Sequence, residues 1–203
     1  MARRLLFAAW WIALLVYGFG IAPGPDPDLL ALIIELGSFA TEDRLSIGLF
    51  NLMGVWPFLF LAVLVDEGGL RIPPWLFAVG SFALGAFVLL PYFVLRAQPP
   101  PPAPVSGLRR LAGHRAIGIV ATVAVLGLVS WSVLGADAGA FAARWQQSNF
   151  VNVMSIDFLC LCALFPLAAR DDAVRRQASA PLRALLWVPL VGATLYVALR
   201  PSR

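Results

Sequence analysis

Asn149–Ala169 reads NFVNVMSIDFLCLCALFPLAA, an apolar run about long enough to cross a bilayer as one helix, with Asn149, Asn152 and Asp157 set inside it. A carboxylate near the centre of a spanning helix costs roughly 2.5–3.5 kcal/mol on insertion scales, so Asp157 should face protein or water rather than lipid. At about 100° per residue, Asn149, Val153, Asp157, Cys160 and Leu164 share one side of the helix, and a neighbouring helix must cover that seam. Asn152 and Ser155 point elsewhere. Asp157 is therefore either a proton, ion or ligand site or a buried hydrogen bond joining two helices. The run identifies a membrane protein and a candidate site, not a substrate.

Composition carries the same reading. Of 203 residues, 61% are hydrophobic and 13% charged, too few charges to coat a soluble globule of this size. All 15 basic residues are arginine, and they are scattered rather than clustered, which suits codon bias better than a dedicated phosphate site. The net charge of +4 belongs to arginines flanking helices at lipid headgroups, and no extramembrane stretch is long enough for a nucleic-acid-binding domain. Cys160 and Cys162 lie on different sides of a helix and form neither a disulfide nor a closed metal site. His114, beside arginines at a membrane edge, is a solvated flank.

Working outward, six spans are expected: Met1–Ala22, Leu45–Val65, Pro74–Leu95, Ala116–Leu134, Phe150–Ala169 and Leu182–Leu199. Leu29–Ala40 is apolar, but its twelve residues cover only roughly 18 Å of a core about 30 Å thick, so it should lie in the interface or re-enter. Counting it gives the seven-span alternative. Pro57 should kink the second span beside Asn51 and Gly54, and Ser81 with Gly85 should let a helix approach the third span closely. Residues 98–107 (QPPPPAPVSG) form a polyproline spacer between a first three-span half, 1–97, and a second, 108–203. Asp137–Ser148 reads as a short amphipathic connector.

The halves share signatures. Asn51 and Met53 recur as Asn152 and Met154, and Tyr92, Leu95 and Arg96 recur as Tyr196, Leu199 and Arg200. A duplicated unit with an odd number of spans enters the membrane in opposite senses, so two inverted three-helix repeats are expected within an all-α, polytopic transmembrane bundle. Trp56 then stands where the second half has Asp157. Arginine counts favour the linker side as cytoplasmic under six spans, whereas Arg3 and Arg4 favour the side of the amino terminus.

At RLSIGLFNLMGVWPF, SFALGAFVLLPYFVLR and SNFVNVMSIDFL the chain resembles an uncharacterised family of integral membrane proteins from cyanobacteria, chloroplasts and other bacteria. The resemblance covers about a third of the chain. It implies a multi-pass protein of a bacterial inner or photosynthetic membrane, singles out Asn51, Met53, Gly54, Trp56, Pro57 and Asp157, and implies no cofactor.

No metal-ligand cluster, phosphate loop or nucleophile–base pair is legible, so no catalytic residue is expected. Two functions compete. Seven tryptophans, small-residue contacts and minimal loops suit an accessory or assembly subunit packed against a larger membrane complex. Kinked helices and an embedded Asp157 suit a small transporter or proton- or ion-coupled permease. In either case the spans bearing Asn51 and Asp157 should pack together centrally, with Asn51 as hydrogen-bond partner of Asp157 and Asn149 or Asn152 completing the set.

Overall fold

The computed structural model describes residues 1–96, 100–102, 107, 112 and 114–201. Most of the proline linker, 98–107, lies outside the described residues. Among those described, helices are joined by turns and loops, no strand forms, and Glu67 and Pro102 make an isolated bridge. Among the described residues ten α-helices follow in order. They are α1 Ala2–Val16 (continued by a π turn, Tyr17–Ile21), α2 Leu29–Gly37, α3 Arg44–Met53, α4 Trp56–Leu64 and α5 Pro74–Leu95. The second half has α6 Arg115–Val133, α7 Ala138–Gln147, α8 Asn149–Arg175, α9 Ala180–Ala184 (continued by a 3-10 turn, Leu185–Trp187) and α10 Val191–Leu199. Five stretches are long and apolar enough to cross a membrane: Ala2–Ile21, Arg44–Leu64, Pro74–Leu95, Arg115–Val133 and Asn149–Arg175.

Helix starts follow local chemistry. The carboxylates of Asp28, Asp43 and Asp137 accept from backbone N–H groups in the first turns of α2, α3 and α7, and the Ser148 hydroxyl does so for α8. The two short helices α2 and α7 meet through Glu35 and Arg144, 2.8 Å apart, and this hydrogen bond, with the arginine's charge, holds the Glu35 carboxyl below its ordinary range. At nine residues α2 is too short to cross a bilayer, as its sequence suggested.

Three expectations need correction. The first concerns the third apolar run. In a straight helix Phe77 and Tyr92 would stand roughly 22 Å apart, yet their ring centroids are 5.2 Å apart. A Cβ on Gly80 would also meet Val88 at 3.3 Å. The run therefore doubles back, turning at Gly85, whose φ of 48° and ψ of −129° suit glycine. The second concerns the last run, which is not one helix either. Leu190 has φ 58°, and the far end returns to the tip of α8, where Arg176 donates to the Pro201 carbonyl at 2.8 Å. A Cβ on Gly192 would lie 1.9 Å from the Leu185 carbonyl oxygen, so the two arms touch.

The third correction is to the inverted arrangement. Phe50 pairs with Phe150, Trp56 with Phe158, Phe60 with Phe165, and Asp66 with Arg176. Residue numbers rise together along both partners, so α3–α4 and α8 run parallel, and units in opposite senses would have made them antiparallel. The break between α3 and α4 falls at Gly54 and Val55, with Pro57 in the first turn of α4, where its missing N–H leaves no gap.

The core forms around α4 and the middle of α8, where Trp56, Leu59, Phe60, Leu161, Leu164 and Phe165 are fully buried. At one end of the bundle lie the starts of α1 and α6, the ends of α4 and α8, and both ends of each hairpin. That end carries a buried ion-pair network. Glu67 accepts from Tyr92 Oη and, at 3.0 Å, from Arg96; Asp172 accepts from Tyr196 at 2.8 Å and Arg200 at 3.0 Å. Arms cross between halves as well: Arg96 reaches Asp171 at 2.7 Å, and Arg176 reaches Asp66 at 2.8 Å.

Candidate functional site

Asp157 sits a third of the way along α8, with 4% of its surface exposed. Its Oδ1 accepts the backbone N–H of Ala86 at 2.8 Å, the first N–H after the turn at Gly85. The carboxylate thus caps the second arm of the α5 hairpin, where unsatisfied N–H groups and the helix dipole favour negative charge. A Cβ at Gly85 would fall 1.6 Å from Asp157 Oδ2, so glycine supplies both the backbone angle and the room for the carboxylate. The close approach expected at Gly85 is made by this carboxylate.

Above the hairpin tip a cavity of about 440 Å³ is lined by Asn51, Gly54, Ser81, Phe82, Phe87, Asn149, Val153 and Asp157, among others. Asn51, Asn149 and Asp157 therefore share one space, and Asn152 does not line it.

The expected direct set around Asp157 is not the one found. Asn51 donates to the carbonyls of Ile47 at 2.9 Å and Leu36 at 3.2 Å, which ties α3 to α2. Asn149 donates to Pro23 O at 2.7 Å, and Asn152 accepts from Tyr17 Oη at 2.7 Å while donating to Trp145 O at 3.0 Å. The physical reason is local: Asn51 reaches the Ile47 carbonyl one turn back in its own helix, and carbonyls at or beyond helix ends satisfy the other amides. Trp56, at the position set against Asp157 in the first half, is core, packed on Phe60, Phe158 and Phe165.

Sequence reading missed two things. The hairpin turn was visible only as a glycine in a small-residue pair. The ion-pair network had a clearer signal: the acid pairs Asp66–Glu67 and Asp171–Asp172 recur within one residue of the spacing of the repeated Tyr-x-x-Leu-Arg. Among the described residues no group of histidine, cysteine or acidic side chains could hold a metal ion. Compared with protein families, curated proteins and solved structures, the chain has no match.

Proposed function

We propose that the chain is a small membrane transporter or proton- or ion-coupled permease whose site is the cavity at Asp157. The observation that carries this reading is the Asp157 carboxylate seated on the Ala86 N–H at the tip of a broken helix, beside a cavity. Helices interrupted midway offer backbone dipoles and a polar surface at a depth where lipid offers neither, and transporters place substrate and ion sites there. Three of the seven tryptophans that suggested a docking partner serve the chain itself, whereas Trp187 is 72% exposed. Trp56 is buried, Trp11 donates to Phe87 O at 3.0 Å, and Trp10 contacts Cys160 Sγ at 3.3 Å.

In this reading α1, α3–α4, α6 and α8 cross a bacterial inner or photosynthetic membrane, and the two hairpins enter from one side without crossing. Each half is then two crossings and a re-entrant hairpin. An even number of crossings lets a duplicated unit enter twice in the same sense, in keeping with the parallel course of α3–α4 and α8. Likeness to the cyanobacterial and chloroplast family remains part of this proposal. Of the described arginines only Arg44 and Arg144 belong to the end opposite the ion-pair network, so that network faces the cytoplasm.

The test is flux. In proteoliposomes carrying a pH-sensitive dye, Asp157→Asn should abolish proton- or ion-coupled movement, while Arg144→Gln at the opposite end should leave most of it. Equal flux in wild type and Asp157→Asn would end the proposal.

A further inference from the structure

The cavity at Asp157 does not stand alone. An apolar groove of about 660 Å³, lined by Val55, Phe58, Ile117, Val120, Ala124 and Leu128, runs along α6, and Asn51, Gly54 and Phe82 line both spaces. The groove opens on the outer surface of the bundle: Phe58 is 49%, Phe82 52% and Val120 67% exposed. In a membrane this surface meets acyl chains, and Asn51, Gly54 and Phe82 are what lies between it and the Asp157 cavity.

The side chains of the inner end offer a one-sided chemistry. With Asp157 ionised, every side-chain donor lining the cavity is already used. Both N–H bonds of Asn51 go to Leu36 and Ile47 carbonyls, those of Asn149 to Gly18 and Pro23, and the Ser81 hydroxyl donates to Ala78 O at 2.6 Å. Acceptors remain. Asp157 Oδ2, Asn51 Oδ1 and Asn149 Oδ1 have no hydrogen-bond donor among the described residues. A ligand head that completes these groups must donate, and buried acceptors left unmatched would penalise one that cannot.

We propose that cavity and groove form one site for a membrane-soluble amphiphile with a donating head, hydroxyl or ammonium, held at Asp157, and an apolar tail laid along α6. This rests on the reading of the Asp157 cavity as the substrate site and names the class of substrate.

Native mass spectrometry of the full chain in detergent, with four C12 probes, tests it. Dodecylamine and dodecanol should each bind saturably at one per chain. Laurate, with an accepting head, and dodecane, with none, should bind at least about tenfold more weakly. Asp157→Asn should weaken dodecylamine by about tenfold. Val120→Trp fills the groove from a position on the outer surface, so the fold should tolerate it; it should weaken dodecylamine and leave butylamine, which has no tail to place, unchanged. Laurate binding as tightly as dodecylamine would overturn the proposal, and so would dodecylamine binding unaffected by Val120→Trp. Binding as expected without Asp157-dependent flux would remove transport and leave the site. Asp157-dependent flux with no preference among heads would do the reverse.

Discussion

Gly85 is where the site is most sensitive to a single atom. Its backbone angles alone should cost an alanine about 1–3 kcal/mol, and the added Cβ would occupy the space of Asp157 Oδ2. Gly85→Ala is therefore expected to lower the melting temperature of the purified protein and to displace the carboxylate from Ala86. In an Asp157→Ala background only the backbone penalty remains, so the same substitution should be milder. Equal losses in the two backgrounds would show that room for the carboxylate is not what glycine provides. At this scale Asp157 was legible, because a lone acid inside an apolar run must be sheltered. Its partner was not. An N–H freed by a turn leaves no trace in residue identity, and asparagine is equally content with any carbonyl within reach, as Asn51, Asn149 and Asn152 each illustrate.

The helical hairpin of α5 is the element that composition hides. A run of this hydropathy and length meets every sequence criterion for a crossing, since such criteria count apolar residues and cannot see where the chain reverses. The same counting placed α1, α3–α4, α6 and α8 well, because those runs are straight or kinked only mildly. Spin labels at Leu76 and Leu95, both exposed on the arms, distinguish the alternatives. A straight helix would hold the two positions roughly 28 Å apart, whereas the folded hairpin should give a much shorter distance by double electron–electron resonance. A distance near the straight-helix value would restore a crossing at Pro74–Leu95 and dismantle the cap on Asp157.

For the whole molecule, the halves are joined by packing of α3 and α4 on α8 and by ion pairs that trade partners, Arg96 with Asp171 and Arg176 with Asp66. Residues 1–97 and 98–203, co-expressed as separate chains, should therefore copurify. Asp171→Asn should reduce recovery of the pair, by less than the about 3–5 kcal/mol of a buried charge left uncompensated, because Arg96 keeps Glu67 and Asp171 is 24% exposed. Undiminished recovery would mean that apolar packing alone holds the halves together. The repeat was legible in Tyr92–Arg96 and Tyr196–Arg200, but its sense was not, since orientation depends on whether each third apolar run crosses or turns back. The traded arms also bear on how the chain is made. Arg96 leaves the ribosome 75 residues before Asp171, and Asp66 leaves it 110 before Arg176. Until the second half emerges, the pairs Arg96–Asp171 and Asp66–Arg176 cannot close, so a chain that stalls before Asp171 displays an incomplete cluster, a mark that separates unfinished from finished copies.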